Sequence, residues 1–206
     1  MTIPVLTCYL PGNRCLNVLK ASIEAYAPEH KLIAMPSQGD NFGDSYNRAM
    51  NEVFQDYDEI IISNDDVVIT PYTMPDLMSD LRTLKARHGH RLGLVGTHAD
   101  NIRWVQNIKA GPCVCREIDR LSPLFTWFPK RAFMEWRFPP LNWYADDVIC
   151  EDLARVGYHH YISKAYVHHV GSQSIGTDIE ELNKASMPWL IAHRPEYLTK
   201  WFGGQK

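Results

Sequence analysis

Glu59-Ile60-Ile61-Ile62-Ser63-Asn64-Asp65-Asp66-Val67 is the stretch on which the reading of the fold turns. Its near-continuous apolar run is the pattern of a strand buried on both faces, as in a parallel sheet covered by helices. The run then stops abruptly at polar side chains. In open α/β sheets ligands bind beyond the carboxyl ends of strands, so Asn64, Asp65 and Asp66 stand where chemistry belongs. Two carboxylates ~4 Å apart repel by roughly 4 kcal/mol at an effective dielectric near 20. A divalent cation is the simplest counter-charge, and oxygen ligands with one imidazole suit Mg²⁺ or Mn²⁺. The alternative is a solvated turn in which Asn64 or Asp65 forms an Asx-turn.

Working outward, Ile3 to Leu10 reads as a short buried strand broken by Pro11-Gly12-Asn13. Leu16, Leu19, Ile23 and Tyr26 then recur at helical spacing until Pro28. Lys31 to Met35 is a second strand, followed by a turn-rich loop. Ser45 to Phe54 is a helix with Tyr46, Ala49, Met50 and Val53 on one face. Met74 to Arg87 is another helix and Arg91 to Thr97 another strand. This alternation predicts an α/β fold with a mostly parallel central sheet flanked by helices. Beyond it the pattern is mixed. Leu124 to Phe128 is strand-like, Pro129 to Trp136 and Val148 to Val156 are helical, and Tyr158 to Val170 reads as a final strand pair. The tail after Asp178 is helical and aromatic, ending in Trp201-Phe202. The whole of 1–206 reads as one domain, without repeat or linker.

Composition narrows the classes. Of 206 residues, 45% are hydrophobic and 22% charged, which excludes a disordered tail, a coiled coil and a collagen-like fibre. A net charge of −3 weighs against binding nucleic acid mainly through phosphates. Cys8, Cys15, Cys113, Cys115 and Cys150 are odd in number and scattered. The C-x-C at Cys113 and Cys115 lacks the second pair of a tetrahedral zinc site, so reduced thiols are expected. Met1-Thr2-Ile3-Pro4 has neither the basic region nor the apolar core of a signal peptide, and no apolar run approaches the ~20 residues of a membrane span. A soluble, cytoplasmic protein is expected.

Three further segments carry chemistry-bearing residues. Trp143-Tyr144-Ala145-Asp146-Asp147 precedes Ile149, Leu153 and Val156 at helical spacing, then Gly157-Tyr158. Its carboxylates either cap the helix and complement its dipole, or supply a general base aimed into a cleft. In Tyr166-Val167-His168-His169-Val170-Gly171-Ser172-Gln173-Ser174, strand alternation sends His168 and His169 to opposite faces. Asn41-Phe42-Gly43-Asp44-Ser45-Tyr46-Asn47 opens a helix, where Gly43 permits close approach to the backbone and free amides favour anions. It matches neither the dinucleotide fingerprint nor the P-loop.

In their order and spacing these four pieces resemble the family 2 glycosyltransferases with the GT-A fold. The resemblance rests on Asn41, Gly43 and Asn47, then Asn64-Asp65-Asp66, then Asp146-Asp147 ahead of Gly157-Tyr158, then His168-His169, and runs from Ile3 to Ser174. It implies transfer of a sugar from a nucleotide-diphosphate sugar, a UDP-sugar first among them, to an acceptor hydroxyl with inversion. Asp66 would hold Mn²⁺ or Mg²⁺ on the donor diphosphate, with Asn64 and Asp65 supporting the ion, the ribose or the sugar. Asp146 would be the general base, with Asp147 as the fallback. His169, with His168 as the alternative, would be a further metal or diphosphate ligand. Thr7, Tyr9, Asn41 and Asn47 would line the nucleotide pocket. About 1–97 would then form the donor half, 98–178 the acceptor half and 179–206 a helical tail.

This sequence departs from the pattern at Asn64, where many members carry Asp, and at Met35-Pro36-Ser37, where the usual acidic residue is missing and uracil recognition is put in doubt. Acceptor recognition is expected on 98–145 and the tail. Trp104, Trp127, Phe128, Trp136 and Trp143 offer stacking faces there, and Lys109, Arg116, Arg120, Lys130, Arg131 and Arg137 make the stretch basic. The acceptor stays open between a glycan, a small molecule and a modified nucleic acid base. Trp189 to Phe202 reads as either a homodimer contact or a lid. The competing classes are a nucleotidyltransferase, whose glycine-rich basic loop Pro11-Gly12-Asn13-Arg14 imitates poorly, and a nucleotide- or carbohydrate-binding module without catalysis.

Overall fold

The computed structural model describes residues 2–102, 104–171 and 178–203. In chain order it contains β1 (Val5–Tyr9), α1 (Cys15–Tyr26), β2 (Leu32–Pro36), α2 (Phe42–Val53), β3 (Glu59–Ser63), β4 (Val67–Ile69), α3 (Thr73–His88) and β5 (Leu92–Ala99). There follow β6 (Arg116–Ile118), β7 (Phe125–Pro129), α4 (Lys130–Glu135), α5 (Ala145–Arg155), β8 (His159–His169), α6 (Ile179–His193) and α7 (Pro195–Phe202).

The strands form one mixed sheet in the order β2-β1-β3-β7-β5-β8-β4, with β6 also pairing with β8. β1 is parallel to β2 and β3, and β5 is parallel to β8. β7 runs antiparallel between β3 and β5, while β4 and β6 run antiparallel to β8. The directions compose so that β1, β2, β3, β5 and β8 all point the same way. Their carboxyl ends therefore open on one edge of the sheet, the place where such sheets bind ligands.

Alternation along β3 feeds both faces of the sheet, as its apolar run requires. Ile61 joins Val5, Leu19, Ile23, Leu77, Leu81 and Trp127 on the α1–α3 side. Ile60 and Ile62 join Leu6, Tyr46, Met50, Phe128, Phe133 and Ile149 on the side of α2, α4 and α5. Trp127 and Phe128 are fully buried in these cores, so they are packing residues rather than acceptor-stacking faces. The expected strand pair over Tyr158–Val170 is instead a single strand, β8. Its antiparallel neighbours are the three-residue strands β4 and β6, too short to show a period of their own. α2 begins three residues ahead of the expected Ser45, because the Asn41 side chain accepts the Asp44 amide and caps the helix.

His160 of β8 joins the sheet to α5. Its Nδ1 accepts the Leu94 amide at 3.0 Å and its Nε2 lies 3.0 Å from the Cys150 carbonyl. A carbonyl only accepts, so Nε2 carries the proton and the ring sits neutral. Gly93 makes the space, since a Cβ there would lie 2.7 Å from the ring Nδ1. Burial pushes the His160 pKa down to about 4. An unfolded histidine titrates near ~6.5, so between that pH and about 4 the unfolded chain binds more protons. Stability from this residue is present above that window and falls as pH drops through it, by up to about 3 kcal/mol. Urea denaturation from pH 7 to pH 4 should show this slope in the wild type and a shallower one in His160→Gln.

Candidate functional site

The turn between β3 and β4 carries Asp65 and Asp66, and both are buried, at 4% and 5% exposure. Burial of both does not fit a solvated turn, since carboxylates taken out of water require partners. Asn13, in the Pro11-Gly12-Asn13 break after β1, donates from Nδ2 to Asp65 Oδ2 at 2.7 Å. Because β4 lies antiparallel on the end of β8 with Val67 opposite His169, Asp66 is delivered to the histidine. Asp66 Oδ2 is 3.3 Å from His169 Nε2, and the Asp66 carbonyl accepts the Val170 amide at 2.9 Å.

The residues after β5 orient that histidine. His169 Nδ1 is 3.0 Å from the Asn101 carbonyl, so Nδ1 carries a proton and Nε2 is the nitrogen presented to Asp66. Asn101 returns a hydrogen bond from Nδ2 to the His169 carbonyl at 3.0 Å. It does so from a left-handed backbone, φ 48°, which asparagine tolerates better than most residues. Asp100 accepts the His169 amide through Oδ1 at 2.8 Å and meets His168 Nδ1 through Oδ2 at 2.5 Å. Burial opposes a charged His169, but hydrogen bonding and charge from Asp66, the Asn101 carbonyl and the Asp100 charge outweigh it and raise its pKa. His168, on the exposed face of the strand, is committed to Asp100 and is not brought to Asp66.

The acidic pair of α5 differs in exposure. Both carboxylates lie in the first turn of the helix. Asp147 is 1% exposed and 3.5 Å from an Arg120 guanidinium nitrogen, while Asp146 is only half-buried.

Several nucleotide-pocket expectations fall on residues with structural duties. Asn47 donates to the Phe138 carbonyl at 2.8 Å and accepts the Phe138 amide at 3.0 Å, occupying both halves of its amide group. What approaches Gly43 is the chain at 138–141, where its amide meets the Leu141 carbonyl at 3.1 Å. Asn41 caps α2, Thr7 is fully buried in β1 and Tyr9 half-buried at its end. The Tyr46 hydroxyl, which sequence reading assigned only to the core, donates to the Ser63 carbonyl at 2.7 Å and pins α2 to the end of β3. Asn64 is half-exposed, its amide held by the Leu124 carbonyl.

The basic stretch is largely consumed within the fold. Arg116 donates to the Val105 carbonyl, Arg131 to the carbonyls of His90 and Leu92, and Lys130 faces Asp58. Ser172, Gln173, Ser174 and the side chain of Trp104 lie outside the described residues. Asn13, Asp100 and Asn101 escaped the sequence reading, although the rule that singled out Asp65 and Asp66, polar residues just past a strand, applies to each.

Among the described residues no three His, Cys, Asp or Glu side chains gather into a metal-binding group. The chain thus offers two adjacent donors, Asp66 and His169. Hard divalent cations are held in that way when substrate phosphates and water complete the shell. The Nδ1–H···O=C contact of His169 is also the outer bond that a ligating histidine ordinarily makes. The residues present fit such an ion.

No protein-family model matches the chain, and no curated protein matches it in sequence. Solved structures do. Residues 1–349 of TarS from S. aureus in complex with UDP-GlcNAc align with a TM-score of 0.58 at 12% identity, over 87% of this chain and 61% of that one. A protein from STIV aligns at 0.57 and 11% identity, over 79% and 81%. A glycosyltransferase involved in glycosylation of the major capsid of PBCV-1 aligns at 0.51 and 11% identity, over 91% and 100%. The chain thus spans less than two thirds of the TarS fragment. Its architecture is the GT-A-like fold of glycosyltransferases.

A Cβ at residue 43 would lie 1.8 Å from the Pro139 carbonyl oxygen, so Gly43→Ala must push the 138–141 segment off α2. Overpacking of this kind costs about 1–3 kcal/mol. Thermal denaturation should show a corresponding fall in Tm.

Proposed function

We propose that this protein is a metal-dependent glycosyltransferase that moves a sugar from a nucleotide-diphosphate sugar, a UDP-sugar in the first instance, to an acceptor hydroxyl. The observation that carries the reading is the meeting of Asp66 with an oriented His169 where the segments after β1, β3 and β5 meet the end of β8. The TarS complex with UDP-GlcNAc and the PBCV-1 glycosyltransferase lend support from the same fold.

Asp66 and His169 Nε2 would hold Mn²⁺ or Mg²⁺, with Asp65 steadied beside them by Asn13. The ion's contribution when bound is Lewis-acid stabilisation of the charge that develops on the leaving diphosphate. Asp100 and Asn101 keep the imidazole turned so that Nε2 faces the carboxylate. Of the acidic pair, Asp146 is the better base. Asp147 is buried beside Arg120, whereas Asp146 is half-exposed in the first turn of α5, and there it would take the proton from an acceptor hydroxyl. In-line attack from that side inverts the anomeric centre.

Thermal melts with UDP, GDP, dTDP and CDP, with and without Mn²⁺, test the donor half. A ligand at 100-fold its Kd adds about 2.7 kcal/mol, which for a chain of this size raises Tm by about 5–10 °C. The expected result is a Mn²⁺-dependent rise with UDP that disappears in Asp66→Ala and is reduced in His169→Ala. No rise with any nucleotide overturns the reading. For the catalytic half, Asp146→Asn should keep the UDP-dependent rise and lose release of UDP from UDP-GlcNAc. Unchanged release would make the protein a transferase with a different base.

A further inference from the structure

The backbone that leads into α5 is held in an unfavourable shape, and the carboxyl-terminal helices supply the grip. Tyr144, the residue before the helix, has φ 68° and ψ 2°, a left-handed conformation that is uncommon for any residue other than glycine or asparagine. It is also buried. Such conformations persist only where the surroundings over-determine them. Here the surroundings are α6 and α7. The Tyr144 ring stacks on Trp201 with centroids 5.6 Å apart and planes 24° apart, and meets Phe202 edge-on at 6.2 Å. Its hydroxyl donates to Asn183 Oδ1 at 2.8 Å. The preceding carbonyl, that of Trp143, accepts the Ser186 hydroxyl at 3.1 Å.

The same two helices fasten the next turns of α5. Lys200 Nζ and Trp201 Nε1 reach Glu151 at 2.8 and 3.1 Å. Arg194 makes two 2.9 Å bonds to Asp152, which also accepts the Tyr197 hydroxyl at 2.5 Å. Arg120 lies over the Trp201 ring, 4.9 Å from its centroid, while pairing with Asp147. In sequence these contacts lie on both sides of Asp146, at Trp143 and Tyr144 before it and at Asp147, Glu151 and Asp152 after it.

We propose that the α6–α7 hairpin is a positioning element for Asp146, with Trp201 and Asn183 holding Tyr144 left-handed and so fixing how the first turn of α5 leaves the preceding loop. This rests on the assignment of Asp146 as the base. It gives the aromatic tail a task within its own chain.

Hydrogen exchange on the full-length protein tests it without substrate. The Val148 amide, bonded to the Tyr144 carbonyl at 3.0 Å, reports the junction, and the Ile61 amide, bonded to the Pro4 carbonyl at 2.8 Å, reports the core. Trp201→Ala should speed exchange at Val148 about tenfold, the size of the left-handed preference that the stack offsets, and leave Ile61 unchanged. Trp201→Phe, which keeps a ring to stack, should stay near wild type. Adding Tyr144→Gly to Trp201→Ala should restore protection, because glycine adopts the left-handed conformation without help. Unchanged Val148 exchange in Trp201→Ala, an equal rise at Ile61, or no recovery with Tyr144→Gly overturns the proposal. Failure of the base assignment looks different: loosened Val148 in Trp201→Ala, with UDP release from UDP-GlcNAc intact in Asp146→Asn, refutes the catalytic purpose and leaves the grip on Tyr144 standing.

Discussion

The contact between Asp66 and His169 is the constraint around which the carboxyl edge of the sheet is arranged. It requires β4 to fold back antiparallel on the end of β8, so that a turn leaving β3 reaches a strand three positions away in the sheet. A buried carboxylate beside an imidazole is stable only if both are further hydrogen-bonded. The loop after β5 provides that for the histidine through Asn101 and Asp100, and the loop after β1 provides it for the neighbouring Asp65 through Asn13. Three loops and the end of β8 are thereby committed to one small region, and the strands behind them are the rigid support that precise polar chemistry needs.

α5 solves a second electrostatic problem. Asp147, Glu151 and Asp152 are all buried on it, a concentration of negative charge that would not persist unpaired. Arg120, Lys200 and Arg194 answer them one by one, from the loop before β7 and from the carboxyl-terminal helices. The tail is therefore part of the charge balance of the domain, and its aromatic residues complete a small core with Tyr144, Val148 and Leu190. Among the described residues no helix is long and apolar enough to cross a membrane.

Much of this was readable from the amino-acid order because it depends on local period. β3 is found where its apolar run lies, and Tyr46, Ala49, Met50 and Val53 are the buried face of α2. The same logic pointed to Asp65 and Asp66, which stand buried in the turn where β3 ends. What escaped depends on pairing between distant segments. β4 and β6 are three residues each and exist because β8 offers them an edge. Asn101 matters through a histidine far along the chain, and Asn47, which looked like a pocket residue, is spent on Phe138. The pairing of Asp147 with Arg120 joins two distant segments, which no local pattern encodes.

In the proposed transferase Asp66 and His169 together hold the cation that binds a donor diphosphate. Anomalous diffraction at the manganese edge, from crystals grown with UDP and Mn²⁺, tests it most directly. One strong peak is expected within coordination distance of Asp66 Oδ and His169 Nε2, with the diphosphate completing the shell. UDP seated in the cleft with manganese absent from that position, or bound elsewhere, would contradict it.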